Sequence, residues 1–152
     1  MKKLSFISLL LVAIFSSCNS IVPNVSEVEG YYSGTVKVLE PLYVQEDVKV
    51  LIERDSITGV QNIVMYKVRF SERMPVFIDM VIPDVDITKS GYISGDSIVP
   101  LLKSGAPYEK YIVTELEGQV DNTKEPSTLT FSLNFGPYPT QYTGKWVIQD
   151  AK

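Results

Sequence analysis

Histidine is absent from the 152 residues of the chain, and cysteine occurs once, at Cys18. Histidine is the commonest general base and the commonest ligand for transition metals. Its absence therefore excludes histidine-containing triads and most zinc sites. A single cysteine cannot form an intramolecular disulfide, so packing has to stabilise the fold. The sequence disfavours an enzyme and predicts no metal or organic cofactor.

Recognised nucleotide-binding and hydrolase motifs are also missing, as is any cluster of basic residues. The chain contains no GxSxG, no P-loop and no dinucleotide fingerprint. Its 14 Lys and Arg residues are outnumbered by 18 Asp and Glu residues, which gives a net charge of −4. An acidic chain without a track of positive charge is a poor match for phosphate backbones. We therefore expect no nucleic-acid partner.

The N-terminus carries a short apolar segment between basic residues and the lone cysteine. Lys2 and Lys3 precede the apolar residues 4–15, and Ser16 and Ser17 precede Cys18. A helix of about 12 residues rises only about 18 Å, too little for a hydrocarbon core of about 30 Å. The pattern suits the core of a secretory signal peptide. An ordinary secretory signal with Cys18 as a bystander is the alternative.

This arrangement resembles a bacterial lipoprotein signal, and the resemblance implies that Cys18 carries the lipid. We predict a signal peptide over residues 1–17, a tether over 18–28 and one domain over 29–152. Acyl chains at Cys18 would hold the protein at the outer membrane. No acidic pair follows the cysteine, which favours a face toward the periplasm.

Period-two alternation dominates the rest of the chain and predicts an all-β domain. About eight strands with mostly short connections describe an antiparallel meander, and closing such a meander removes its unpaired edges. We predict an eight-stranded up-and-down barrel, with an immunoglobulin-like sandwich as the alternative. Shorter strands are predicted on both sides of Pro83 and within residues 89–108. The clearest strands are predicted at residues 30–38, 48–53, 60–70, 111–120, 128–135 and 142–149.

Three segments together resemble one family. Residues 29–35 (EGYYSGT), residues 77–95 with their Ile-Pro and Gly-Tyr motifs, and the closing residues 129–146 are similar to the calycin-like lipoproteins of Bacteroides-type bacteria. The resemblance implies a lipocalin-like barrel without established catalytic residues. Tyr32 stands where true lipocalins have the tryptophan of their first strand.

A barrel of eight strands either fills with side chains or holds one small ligand. The plain interpretation is an interior filled by these side chains. The functional interpretation is an apolar pocket in which tyrosine hydroxyls orient a small hydrophobic ligand. The residues predicted to line the pocket are Tyr32, Tyr66, Phe70, Phe131 and Trp146.

Other side chains suggest further sites, each with a simpler structural interpretation. Tyrosines near the predicted barrel ends suit a contact surface, but tyrosine is also a good strand residue. Grouped aspartates suggest calcium, but they lack its loop spacing and suit a solvated face. Glu115 and Glu117 could form a carboxylate pair for glycoside hydrolysis, although acids two apart on a strand are common. The tyrosines are Tyr108, Tyr111, Tyr138 and Tyr142, and the aspartates are Asp79, Asp84, Asp86 and Asp96.

The sequence as a whole predicts a non-enzymatic, lipid-anchored envelope protein that binds a small apolar ligand. The alternative is a protein–protein interaction module, in which a filled barrel serves as the scaffold and its loops contact an envelope partner. The presence or absence of an interior cavity distinguishes them.

Overall fold

The computed structural model describes residues 28–148, and every regular element in this range is a β-strand. The predicted signal peptide, Cys18, residues 18–27 of the tether and residues 149–152 lie outside the described residues. Within the described range no helix is long and apolar enough to cross a membrane. The strands are β1 (Gly30–Val38), β2 (Tyr43–Arg54), β3 (Gln61–Val68), β4 (Ile78–Ile82), β5 (Asp86–Ile87), β6 (Tyr92–Gly95), β7 (Leu101–Leu102), β8 (Val113–Asp121), β9 (Thr128–Phe135) and β10 (Tyr138–Val147).

All ten strands belong to one antiparallel sheet. Their order is β5-β6-β8-β9-β10-β1-β2-β3-β4-β7, so the first and last long strands, β1 and β10, are neighbours. The sheet curls into a half-barrel around one hydrophobic core. The predicted all-β, antiparallel class is confirmed, whereas the predicted count of eight strands is wrong.

Two interruptions in the middle of the chain raise the strand count. Pro83 and Asp84 separate β4 from β5; proline cannot donate to a ladder, and Asp84 has a φ of 55°. Ser97, with a φ of 56°, and Pro100 lie in the gap between β6 and β7. Both interruptions contain residues that are unfavourable in an extended strand.

The core forms because inward and outward side chains alternate along the long strands. In β9, Leu129, Phe131, Leu133 and Phe135 are buried, while Thr130 and Ser132 between them are exposed. The same alternation operates in β1, β2 and β10. The sequence pattern predicted this face of β9 correctly.

Three β-bulges interrupt the alternation. The register shifts between Gly34 and Val36 in the β1–β2 ladder, between Met65 and Val68 in β3–β4, and between Thr114 and Glu117 in β8–β9. An extra residue in one strand exchanges the inner and outer faces beyond it. At each bulge one residue adopts a left-handed conformation, and these are Asp47, Lys67 and Glu115 with φ values of 57°, 47° and 52°.

Candidate functional site

Three of the residues predicted to line an interior pocket do lie inside the sheet. Tyr32 and Phe70 have no exposed surface, and Phe131 is 3% exposed. The ring of Phe131 stacks on Tyr142 with centroids 5.1 Å apart, and Phe70 stacks on Phe135 at 4.0 Å. These rings contact one another directly, so this part of the interior is packed with side chains.

The hydroxyl groups of the interior tyrosines are already used. Tyr32 donates to the main-chain oxygen of Val28 at 3.0 Å, and Tyr142 donates to that of Val48 at 3.2 Å. Burial raises the pKa of Tyr32 to about 12 and raises that of Tyr142 further. Throughout residues 28–148, every buried side-chain nitrogen or oxygen has a hydrogen-bond partner. The interior therefore has no unpaired polar side chain that could orient a ligand.

Tyr66 does not lie inside the sheet, and the prediction of an interior position is wrong. Its neighbour Met65 is fully buried, whereas Tyr66 is half-buried on the outer face, paired across strands with the exposed Lys49. The bulge between Met65 and Val68 is the physical reason. The sequence pattern assigned Tyr66 and Val68 to one face, but the extra residue separates them.

Trp146 also lies away from the buried interior, contrary to prediction. Its side chain is 40% exposed at the rim of the sheet, and its main-chain N–H donates to Ser127. The indole occupies the space beside Gly30, where an added Cβ would approach the indole Nε1 to 2.7 Å. Trp146 ends the inward-facing row of β10, and the strand finishes before this side chain can be covered.

Tyr66 instead forms part of an open groove on the outer face of β1, β2 and β3. The groove has a volume of about 720 Å³. The rings of Tyr31 and Tyr66 are stacked, with centroids 6.4 Å apart and planes inclined by 25°. Phe77, which is 53% exposed, stands at its margin. We call this site the tyrosine groove; its lining residues are Tyr31, Gln45, Asp47, Lys49, Tyr66, Lys67, Phe77 and Lys103.

The tyrosine groove carries more positive than negative charge. Within the described residues, the ammonium groups of Lys49 and Lys67 have no carboxylate within 4.0 Å. The Lys103 Nζ lies 5.4 Å from the centre of the Tyr66 ring and 3.7 Å from Asp79 Oδ2. A surface ion pair of this length holds the lysine only weakly. Lysine side chains thus line the groove beside the half-exposed rings.

The phenol of Tyr66 stays protonated across the physiological range. Burial is the main cause, and the nearby Tyr31 hydroxyl and the carboxylates of Glu53 and Asp79 act in the same direction. Together they raise the pKa of Tyr66 to about 12. The groove floor is therefore neutral and can offer both a ring face and a hydroxyl donor.

Side chains hold the bulged backbone beneath the groove in place. Gln45 spans from β2 to the end of β3, where its Nε2 donates to the Lys67 oxygen at 2.7 Å and its Oε1 accepts from the Arg69 N–H at 3.2 Å. Asp79 Oδ1 accepts the Lys67 N–H at 2.8 Å. These contacts replace main-chain bonds that the bulge removes from the ladder. Lys67 is consequently fixed in a left-handed conformation with its side chain at the groove.

Two of the four aspartates that suggested calcium bind the backbone instead. Asp79 supports the Lys67 bulge, and Asp96 Oδ1 accepts the N–H of Glu115 at the β8–β9 bulge at 3.0 Å. Asp84 and Asp86 are exposed near the interruption between β4 and β5. Among residues 28–148 no group of three or more acids could hold a metal ion.

Glu115 and Glu117 are both exposed on β8, in a second outer groove that also contains Asp86 and Asp96. Glu115 Oε2 accepts a hydrogen bond from Asn134 Nδ2 at 2.8 Å, so this carboxylate is tied to the neighbouring strand. Four acidic residues line this second groove, whereas three lysines line the tyrosine groove.

Most tyrosines predicted near barrel ends form a packed cluster. Tyr111 stacks on Phe135 with centroids 5.0 Å apart and is 6.1 Å from Tyr138, and Tyr108 lies 5.0 Å from Tyr111. Tyr108, Tyr111 and Tyr138 are half-buried against the core, and Tyr142 is 1% exposed. The rings of Tyr108, Tyr111 and Tyr138 thus pack against the core. Tyr142 is a buried residue of β10, which matches the simpler interpretation of this tyrosine as a strand residue.

Comparisons of the chain with protein-family models, with curated proteins and with solved structures find no match.

Proposed function

We propose that this chain is a non-enzymatic binding protein of the cell envelope: a calycin-like barrel held at the outer membrane by lipid on Cys18, with a filled interior and a binding surface on its outside. The observation that carries the proposal is the combination of a satisfied interior and an open outer groove. Tyr32 and Tyr142 already donate their hydroxyls to the main-chain oxygens of Val28 and Val48. Half-exposed rings and cations are gathered outside.

The pairing of the central strands supports a closed barrel. β4 pairs with β7 through Met80 and Leu102, while β5 pairs with β6 through Asp86 and Ser94. Residues 78–87 and 92–102 therefore pair with each other at both ends, as two interrupted strands of a hairpin. The first also pairs with β3 and the second with β8. This pairing supports our proposal that the ten strands close into a ring, which would leave the curled sheet without an unpaired edge.

A titration separates the filled barrel from one that takes an apolar ligand inside. Fatty acids, sterols and bile acids would be added to purified protein while the methyl NMR signals of the buried Val50, Ile63 and Leu129 are followed. A filled interior leaves these signals unchanged. Specific, saturable shifts of all three would instead support the internal-ligand alternative.

The anchor is tested independently of the barrel. Cys18→Ser should abolish incorporation of labelled palmitate and move the protein from the membrane to the soluble envelope fraction. A variant that still fractionates with membranes would reject lipid attachment at this residue.

A further inference from the structure

We infer that the tyrosine groove binds an acidic oligosaccharide, in which sugar rings stack on Tyr31 and Tyr66 and carboxylates approach the surrounding lysines. The inference rests on the proposed function, because it assumes that binding takes place outside a filled barrel. It assigns that binding a place and a chemical class.

The floor of the groove has the shape that a sugar ring requires. Tyr31 and Tyr66 form a stacked pair of rings at a small mutual angle, and both are only partly buried. One side of a pyranose ring presents C–H groups, which pack well on an aromatic face. Phe77 adds a third exposed ring at the margin. A volume of about 720 Å³ is in the range of small-ligand sites and accommodates several linked sugar rings.

The charges select an acidic ligand. Lys49, Lys67 and Lys103 line the groove against one lining carboxylate, Asp47, although the whole chain has a net charge of −4. Asp79 pairs with Lys103 and Glu53 lies near Tyr66, so the positive charge without an ion-pair partner belongs to Lys49 and Lys67. Such a site attracts anions and steers them toward the rings.

Asp47 favours a hydroxyl-bearing anion over a fatty acid. Asp47 is exposed and lines the groove, so its carboxylate is available to a ligand donor. A fatty acid has no hydroxyl to donate to this group, whereas a sugar acid has several. The groove therefore combines acceptor, donor and ring faces, as a polyhydroxylated anion requires.

The backbone around the groove disfavours a peptide as the occupant. The floor lies on β1, β2 and β3, and each of these strands is paired on both sides. A peptide that adds as a strand needs an unpaired edge with free N–H and C=O groups. Recognition here must use side chains and ring faces.

Two of the lining residues are held in uncommon backbone conformations. Asp47 and Lys67 have φ values of 57° and 47°, which residues other than glycine rarely adopt. Such conformations concentrate at ligand sites, and bulges redirect side chains there. Both side chains meet at the tyrosine groove, although they come from different strands.

The experiment compares three probes of similar length at low ionic strength: tetragalacturonic acid, its neutral methyl ester and tetraglutamate. Binding is followed through the ring NMR signals of Tyr31, Tyr66 and Phe77, with those of Tyr32 and Phe131 as interior references. We expect saturable shifts at the groove with tetragalacturonic acid, none at the reference rings, and binding of the ester that is about tenfold weaker.

Variants assign the effect to the groove. Lys49→Gln combined with Lys103→Gln should weaken binding of the acid about tenfold and leave binding of the ester unchanged, because two exposed ion pairs are lost. Phe77→Ser, at an exposed ring, should weaken binding of both saccharides. Lys89→Gln removes an exposed lysine outside the groove and should change neither. Circular dichroism checks that each variant is folded.

Three results would overturn the inference: no shift at the groove, equal affinity for acid and ester, or equally tight binding of tetraglutamate at the same rings. None of these results bears on whether the barrel is filled. The proposed function is contradicted by a different signal, namely saturable shifts of the interior methyl NMR signals when apolar ligands are added.

Discussion

The hydroxyl of Tyr142 on β10 donates a hydrogen bond to the main-chain oxygen of Val48 on β2, although β1 lies between the two strands. The ring reaches across the inner face of β1 at Gly34, which pairs with Gly144 on one side and Val48 on the other. Neither glycine has a side chain that would obstruct the ring. One interior tyrosine therefore ties three strands together and occupies space that an internal ligand would need.

Removing this hydroxyl should weaken the fold by a moderate amount. Tyr142→Phe keeps the ring and loses one buried hydrogen bond, so we expect the free energy of unfolding to fall by about 1 kcal/mol. Urea unfolding measures the change. Tyr92→Phe, at an exposed tyrosine, is the matched control and should be neutral. Equal effects of the two variants would contradict the role given to Tyr142.

The space at Gly144 should be as important as the hydroxyl. A Cβ there would approach Tyr142 Cζ to 2.7 Å, so Gly144→Ala has to displace the ring. Overpacking of this kind costs about 1–3 kcal/mol, and thermal unfolding should show it. Thr143→Ala changes the adjacent, exposed position and should have a much smaller effect. A Gly144→Ala variant as stable as the parent would mean that the ring lies elsewhere.

The bulge on β8 should give the protein an acid-sensitive contact. The N–H of Glu115 and the hydroxyl of Ser97 hold the pKa of the Asp96 carboxyl below its usual value of 3.8. A lowered pKa in the folded state stabilises the fold above pH 3.8, and this stabilisation is lost as the pH falls through the folded-state pKa. NMR titration should find the lowered value.

Asp96→Asn keeps an acceptor for the Glu115 N–H but cannot titrate. Unfolding free energies measured from neutral to acid pH should therefore depend less on pH in this variant than in the parent. Asp86→Asn, at another exposed acid of the same outer groove, provides the comparison. An Asp96 that titrates at or above 3.8 would exclude the hydrogen bond.

At alkaline pH the buried tyrosines should destabilise the fold. Burial raises the pKa of Tyr32 from 10.0 to about 12, so the unfolded chain ionises first. Stability is complete below pH 10 and is lost progressively as the pH rises toward 12. Tyr32→Phe removes one such group and should flatten the dependence of unfolding free energy on pH. A dependence identical to that of the parent would place the Tyr32 hydroxyl in water.

The sequence predicted the class of fold because alternation is a local signal. The buried row of β9, from Leu129 to Phe135, and the inward position of Tyr32 follow directly from period-two spacing. The tertiary environment agrees with the pattern at these positions. Longer strands were harder to delimit: β2 begins at Tyr43 and β10 at Tyr138, before the predicted residues 48 and 142.

The side chain of Tyr66 could not be assigned in the same way. A bulge adds one residue without leaving a period signal, and here it moves a tyrosine from the expected inner face to the outer face. The pairing of Gln45 and Asp79 with the bulged backbone depends on contacts between strands. The positive φ of Lys67 is equally hidden, because lysine is not a residue that indicates a turn.

The tyrosine groove was missed because its parts are distant in sequence. Tyr31 lies in the first strand and Lys103 lies beyond β7, yet both line the same surface. The sequence does contain one usable sign, since Tyr31 and Lys49 both occupy outward positions of clearly alternating strands. Predicting that these two side chains lie close together would also have required the register of β1 against β2.

A crystal pressurised with xenon tests most directly the claim that side chains fill the barrel. Xenon enters dry apolar cavities of about 150 Å³ and is visible by its scattering. We predict no xenon among Tyr32, Phe131 and Tyr142. A well-occupied xenon site enclosed by these three residues would contradict the filled interior and favour a ligand bound inside the sheet.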